Sequence, residues 1–297
     1  MSEDLSRCGF VAVVGRPNVG KSTLINAILQ AKVSIVTPKP QTTRHRILGV
    51  HTRKGCQIVF IDTPGLHRRA SKTMNRMMNR TAAGALADAD LILFVSEANR
   101  WTAEDRDVLD RLKDSSVSVF ALLNKIDKVH PKEVLLSVIS AMAERHDFEE
   151  VVPISAILHD NLDMLVELIP KYLPESAALF PDEVITDRSE AFQIAELIRE
   201  KLTCSLRQEV PYGLTVQVEQ IDKEREGVSI RAIIWVERDS QKGIVVGKGG
   251  KVLKKAGRQA RLELKEKMNM PVHLELWVKV RDNWADSERE LLRLGYE

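Results

Sequence analysis

From residue 10 to about residue 172, short unbroken apolar runs alternate with longer segments whose apolar positions recur at helical spacing. FVAVVG (10–15), QIVFID (57–62), LILFVS (91–96), SVFALLNK (118–125) and EVVPIS (150–155) read as strands. Amphipathic segments near 21–30, 72–86, 103–113, 131–146 and 161–172 read as the helices between them. A strand that is apolar along its whole length needs cover on both faces, and crossover helices supply it. The pattern therefore predicts an α/β domain with a mostly parallel sheet covered by helices.

The texture then changes. LPESAALFPDEVITDRSE carries Pro174 and Pro181 and has no period, which predicts a linker over 176–187 between domains at 1–175 and 188–297. Asp187, followed three residues later by Glu190, reads as a capping box opening a helix over 188–208. Two alternating segments follow, YGLTVQVEQI (212–221) and VSIRAIIWVER (228–238), then a long basic helix and a last strand, PVHLELWVKV (271–280). This order predicts a small α+β domain.

Composition changes the picture little. With 44% hydrophobic and 29% charged residues the chain reads as soluble and globular, and a formal net charge of +2 makes any nucleic-acid surface a local one. Cys8, Cys56 and Cys204 are far apart and form neither a disulfide framework nor a CxxC metal site, as suits a reducing compartment. The polar, acidic start MSEDLSRCGF does not read as a signal peptide, and runs such as Leu91 to Val95 fall far short of the ~20 residues that span a bilayer. The expectation is a cytoplasmic protein and a monomer, with peripheral contact on the cytoplasmic face of the inner membrane left open.

Chemistry enters directly after the first strand. GRPNVGKS, from Gly15 through Arg16, Pro17, Asn18, Val19, Gly20 and Lys21 to Ser22, fits the G-x-x-x-x-G-K-[ST] phosphate loop in its required strand–loop–helix setting, with Thr23 opening the helix. The glycines let backbone amides and the helix N-terminus face phosphates, Lys21 neutralises them, and Ser22 offers a hydroxyl to magnesium. The loop says nucleoside triphosphate; NKID says which base. Asn124, Lys125 and Asp127 stand at the end of a strand, and an Asp there accepts hydrogen bonds from guanine N1–H and its exocyclic amine, which adenine cannot repay. The Lys125 stem covers the base face. DTPG (Asp62, Thr63, Pro64, Gly65) ends another strand, with Asp62 placed for magnesium and the Gly65 amide for the γ-phosphate; Ser155 and Ala156 end the last, where the Ala156 amide meets the guanine oxygen. The polar loop QTTRH offers Thr42 and Thr43, one of which completes magnesium coordination only when a γ-phosphate is present, a switch.

In the order and spacing of GRPNVGKS, QTTRH, DTPG, NKID and ISA the chain resembles the Era family of bacterial ribosome-assembly GTPases, within the TrmE-Era-EngA-like group. The resemblance implies GTP and GDP as ligands, Mg2+ held by Ser22, Thr43 and Asp62, and Thr43 ahead of Thr42 as the switch ligand. Ras-like enzymes orient the attacking water with a glutamine after DTxG, whereas Leu66 stands here, so hydrolysis by this domain alone is expected to be slow. In relatives a P-loop asparagine helps bind K+. Asn18 matches it, and its two readings, a potassium ligand or a residue that stabilises the turn, both stand. Catalysis is thus assigned to Lys21, Thr43, Gly65 and Asn18, while His67, Arg68 and Arg69 read first as a solvated face.

The basic helix holds IVVGKGGKV, residues 244–252. A helix that ends in Gly247, Lys248, Gly249, Gly250 and restarts at once resembles the KH type II RNA clamp. Ile244, Val245 and Val246 would floor a groove for bases, and Lys251, Lys254 and Lys255 would meet phosphates. The Era resemblance extends over nearly the whole chain and implies binding near the 3′ end of small-subunit (16S-type) ribosomal RNA and a part in 30S-type subunit assembly. A protein or membrane-surface partner is the alternative. Trp277 and Trp284 invite base stacking, but Trp277 lies in an alternating strand, where core packing is the expectation.

Overall fold

The computed structural model describes residues 6–65, 73–113, 115–206 and 210–296. The chain divides into two compact units between Asp187 and Arg188, with Ile35–Thr42 grouped with the second.

The first unit runs β1 (Arg7–Val14), α1 (Lys21–Leu29), β2 (Ile47–Arg53), β3 (Cys56–Asp62), α2 (Thr73–Ala87), β4 (Leu91–Glu97), α3 (Ala103–Asp110), β5 (Ser118–Asn124), α4 (Val134–Ala143), β6 (Glu150–Pro153) and α5 (Leu162–Leu168). Its sheet is ordered β2-β3-β1-β4-β5-β6, and every neighbouring pair is parallel except β2 with β3. The whole-length apolar strands do what their composition requires. Val11, Val13, Phe60 and Leu93 face one core, and Ala12, Val14, Phe94 and Ala121 face the other. Each large side chain so buried contributes roughly 1.5–3 kcal/mol.

Strand β2 has no counterpart among the strands expected from sequence. Its ILGVHTR is only partly buried and weakly alternating, and it is a strand because β3 offers it a ladder. Nor are residues 176–187 a free tether. The Val50 amide donates to Ile185 O at 2.8 Å, Thr186 bridges Gly49, and the Leu48 amide donates to the Asp187 carboxylate at 3.0 Å, so this stretch covers the open edge of β2. Asp187 is therefore not the cap of the next helix. Ser189 caps it, its Oγ accepting from the Phe192 amide at 3.3 Å.

The second unit runs α6 (Glu190–Ser205), β7 (Leu214–Glu224), β8 (Gly227–Val236), α7 (Asp239–Val246), α8 (Lys251–Met268), β9 (Val272–Val280) and α9 (Glu288–Arg293). Its sheet is β7-β8-β9, antiparallel then parallel. One face packs on the helices: Leu214, Ile230 and Val236 meet Ile198 and Leu202 of α6 and the Ala256, Ala260, Leu264 stripe of α8. Leu274, Leu276 and Val278 join this core from β9. Period two then sends Trp277 to the other face, and it is 42% exposed, against the expectation of core packing. Trp284 is fully buried. Among the described residues no helix is long and apolar enough to cross a membrane.

Candidate nucleotide site and nucleic-acid clamp

The phosphate loop sits at the carboxyl end of β1, where the strand order turns from β3 on one side to β4 on the other, the point at which open α/β sheets hold ligands. Two glycines there are sterically required. A Cβ on Gly15 would lie 2.3 Å from Val95 O, and one on Gly20 2.3 Å from Asn124 Nδ2; both have positive φ, at 153° and 106°. Asn18 also takes a left-handed φ of 64°, which asparagine tolerates well.

Lys21 is buried, and its ammonium donates to the carbonyls of Gly15 at 2.9 Å and Arg16 at 3.1 Å, bridging the loop. Burial lowers it to about 8, against the pull of Asp62. A polyphosphate in the loop would set its negative charge against this ammonium. Beside it Ser22 Oγ donates to Asp62 Oδ2 at 2.7 Å and lies 2.9 Å from Thr43 Oγ1, which is 3.5 Å from the same carboxylate oxygen. Burial raises the Asp62 pKa, opposed by the Ser22 hydroxyl, and Asp62 Oδ1 is buried without a hydrogen-bond partner. Three hard oxygen donors converging with one unmet carboxylate oxygen fit a Mg2+ ion. Thr42 turns elsewhere: its hydroxyl lies 2.6 Å from Thr37 Oγ1 and donates to Lys39 O at 2.7 Å. Gly65 meets the loop so closely that a Cβ would stand 3.0 Å from Pro17 Cγ.

The base-reading segments arrive from adjacent strands. Glu97 pairs in register with Asn124, and Leu123 with Pro153, so β4, β5 and β6 end side by side. Asn124 ties them to the loop: its Nδ2 donates to Val19 O at 2.8 Å, and its Oδ1 accepts from the amides of Lys125 at 2.7 Å and Ala156 at 3.1 Å. Ser155 Oγ donates to the Asp127 carboxylate at 2.6 Å, orienting it. Lys125 reaches across to Asn18 O at 2.7 Å.

In the second unit α7 ends at Gly247, whose φ of 73° and a Cβ position 2.5 Å from Val252 Cγ2 exclude a side chain. Gly249 and Gly250 also have positive φ, at 61° and 73°, so the turn exposes backbone before α8 begins. Lys248, Lys251, Lys254 and Lys255 are exposed.

A family profile described as a 50S ribosome-binding GTPase matches residues 10–125, and a KH domain profile matches 209–285. GTPase Era of Coxiella burnetii (strain Dugway 5J108-111) is 48% identical over 290 residues, 98% of each chain. The chain belongs to the Era family of GTPases. Two solved Era structures cover 98% of this chain and 99% of theirs at 40% identity: Era with MgGDPNP and nucleotides 1506–1542 of 16S ribosomal RNA, at a TM-score of 0.94, and an Aquifex aeolicus Era variant bound to GDP.AlF4-, at 0.93.

In this Era-family GTPase most residues singled out from sequence do gather. Gly15 to Thr23, Thr43, Asp62 to Gly65, Asn124, Lys125, Asp127, Ser155 and Ala156 frame one site at the carboxyl edge of the sheet. Thr63 contributes backbone only, for its buried hydroxyl donates to Val13 O at 2.9 Å. In the clamp Ile244 is 49% exposed, but Val245 is fully buried in the domain core and turns away from any RNA. Leu66, His67, Arg68 and Arg69 lie outside the described residues.

Sequence reasoning missed one group. The Arg16 Nε donates to both oxygens of the buried Asp105, at 3.1 and 3.0 Å, and its guanidinium lies 3.0 Å from Glu97. Glu97 also pairs with Lys125; burial alone would raise its carboxyl, but Lys125 and Arg16 hold it below the usual range. Thr102 and Asp105 form a capping box on α3, a pattern visible in TAED, but nothing local links that cap to the phosphate loop.

Proposed function

We propose that this chain binds Mg·GTP in the β1–α1 loop, hydrolyses it slowly, and uses its nucleotide state to govern binding of the KH-type clamp near the 3′ end of 16S-type ribosomal RNA during assembly of the small subunit in the cytoplasm. The observation that carries the reading is the convergence of Thr43 with Ser22 and Asp62. It supports the reading by standing a hydroxyl from the switch loop beside the two groups expected to hold magnesium. Magnesium, when bound, neutralises charge on the β- and γ-phosphates. Lys21 steadies the same phosphates, the Gly65 amide faces the γ-phosphate, and Asp127 accepts the guanine N–H groups. The relative solved with nucleotides 1506–1542 supports the RNA assignment over the full length of the chain, whereas the large-subunit description of the GTPase profile covers the first unit alone.

Without a glutamine at Leu66, extra positive charge along the phosphates has to come from elsewhere. Potassium held by Asn18 is the candidate, and equal turnover in potassium and sodium chloride at matched ionic strength rejects it. The test of the main reading is RNA affinity in the GDPNP and GDP forms of wild type and Thr43→Ala. The wild type discriminates between nucleotides and the variant does not; a wild type that binds RNA equally in both forms overturns the coupling.

A further inference from the structure

One acid at the nucleotide site has no task on metal, phosphate or base. Glu97 closes β4, and the Ala98 amide next to it donates to Asn124 O at 2.8 Å, so this strand end stands beside NKID. The Glu97 side chain is 14% exposed and meets two cations: the Arg16 guanidinium of the phosphate loop, at 3.0 Å, and the Lys125 ammonium. Arg16 is held in turn by both oxygens of Asp105, at 3.1 and 3.0 Å, and Asp105 is fully buried. The charges thus alternate outward from the core, Asp105, Arg16, Glu97, Lys125, and each is fixed by the one before it. Lys125 needs such fixing. Its backbone φ of 65° is left-handed, uncommon for a lysine, and a residue stays in that region only where its surroundings overdetermine it. Glu97 and the Asn18 carbonyl, the latter at 2.7 Å, pin its ammonium, so the stem spans from the end of β5 to the phosphate loop.

We propose that Glu97 is a positioning residue for the guanine base: it holds the Lys125 stem where the base packs, and the Asp105–Arg16 pair behind it keeps that place fixed relative to the phosphate loop. A long cationic side chain left in water samples many rotamers, and a ligand that has to order it binds more weakly. Glu97 removes that cost before the nucleotide arrives. The carboxylate charge is what acts, because a neutral amide of the same shape attracts an ammonium or a guanidinium far less strongly. The effect belongs to the base and not to the phosphates. Without the Glu97 charge Arg16 still has Asp105, and the loop still holds Lys21 through the Gly15 and Arg16 carbonyls. The inference rests on the reading of NKID as the guanine site.

The experiment measures dissociation constants of full-length wild type, Glu97→Gln, Lys125→Met and the double variant for two probes in magnesium. One is GDP; the other is pyrophosphate, the phosphate part of GDP without its base. Both are read by competition with a fluorescent GDP analogue. Glu97→Gln should weaken GDP by about five- to tenfold, the cost of ordering one long side chain, and leave pyrophosphate within about twofold of wild type. Lys125→Met should weaken GDP at least as much. The double variant should then stay within about twofold of Lys125→Met, since a residue acting only through Lys125 has nothing left to position. GDP affinity of Glu97→Gln within about twofold of wild type overturns the proposal. Equal losses for GDP and pyrophosphate overturn it too, because Glu97 then supports the loop as a whole. So do losses that multiply in the double variant, which put Glu97 on a route that bypasses Lys125. Lys125→Met separates the failures. If it binds GDP as wild type does, the base reading of NKID falls first; if it loses GDP while Glu97→Gln does not, only the part given to Glu97 is wrong.

Discussion

Removing the Asp105 carboxylate is the sharpest test of how the phosphate loop is held. Asp105 is fully buried, takes the Arg16 Nε–H between its two oxygens, accepts from the Thr102 amide at 2.8 Å and hydroxyl at 2.7 Å, and completes the α3 capping box. Asp105→Ala strands a guanidinium that is itself only 7% exposed. Breaking a buried pair costs about 3–5 kcal/mol, and Glu97 at 3.0 Å from Arg16 retains part of the compensation, so about 3 kcal/mol is the appropriate figure. Loss of the Asp105 half of the capping box, the acceptor for the Thr102 amide, adds about 1 kcal/mol. At roughly 2–4 °C per kcal/mol for a unit of this size, the nucleotide-free protein should melt about 8–16 °C lower. Asp105→Asn keeps the cap and one acceptor for Arg16 but loses the charge, and should fall between variant and wild type. Calorimetry without nucleotide reads both. GDP affinity should fall with stability in Asp105→Ala, because the Arg16 carbonyl it positions holds Lys21 at 3.1 Å. A melting temperature within about 3 °C of wild type, under ~1 kcal/mol, would refute the idea that Asp105 anchors the loop.

Other outcomes follow from the same geometry. Asp127→Asn should lower GTP affinity by about 10²–10⁴, the worth of two hydrogen bonds to a charged acceptor, and gain affinity for xanthosine triphosphate, whose C2 carbonyl accepts from the new amide; competition binding with both nucleotides checks it. Gly20→Ala puts a methyl 2.3 Å from Asn124 Nδ2 at a φ of 106°, so nucleotide binding should vanish in isothermal titration while circular dichroism still shows a folded chain. Thr43→Ala should leave GDP affinity within about twofold but weaken Mg·GDPNP by about tenfold or more, since a hydrogen bond to a charged group contributes about 1.5–3 kcal/mol; equal affinity for both would show that Thr42 or water serves the metal.

Residues that act through the local chain were legible in the sequence. The glycine, lysine and serine spacing of the phosphate loop, the NKID segment, the glycine turn before α8 and the whole-length apolar strands each contain their own reason. Steric freedom, a helix N-terminus and two-sided burial are properties of a few consecutive residues. What only the tertiary structure decided are the relations between distant segments. Strand β2 exists because β3 offers it hydrogen bonds, and Asp187 left its expected capping place because the Leu48 amide claimed it. Val245 went to the core although it stands beside the exposed Ile244, since a helix turns successive residues to different faces. Trp277 turned outward because its neighbours Leu276 and Val278 took the core side of β9. Arg16 lies far in sequence from Glu97 and Asp105 and meets them only when β1, β4 and α3 are assembled. Periodicity tells which positions of an element share a face; which face is buried, and which far residue waits there, depends on what the rest of the chain packs against it.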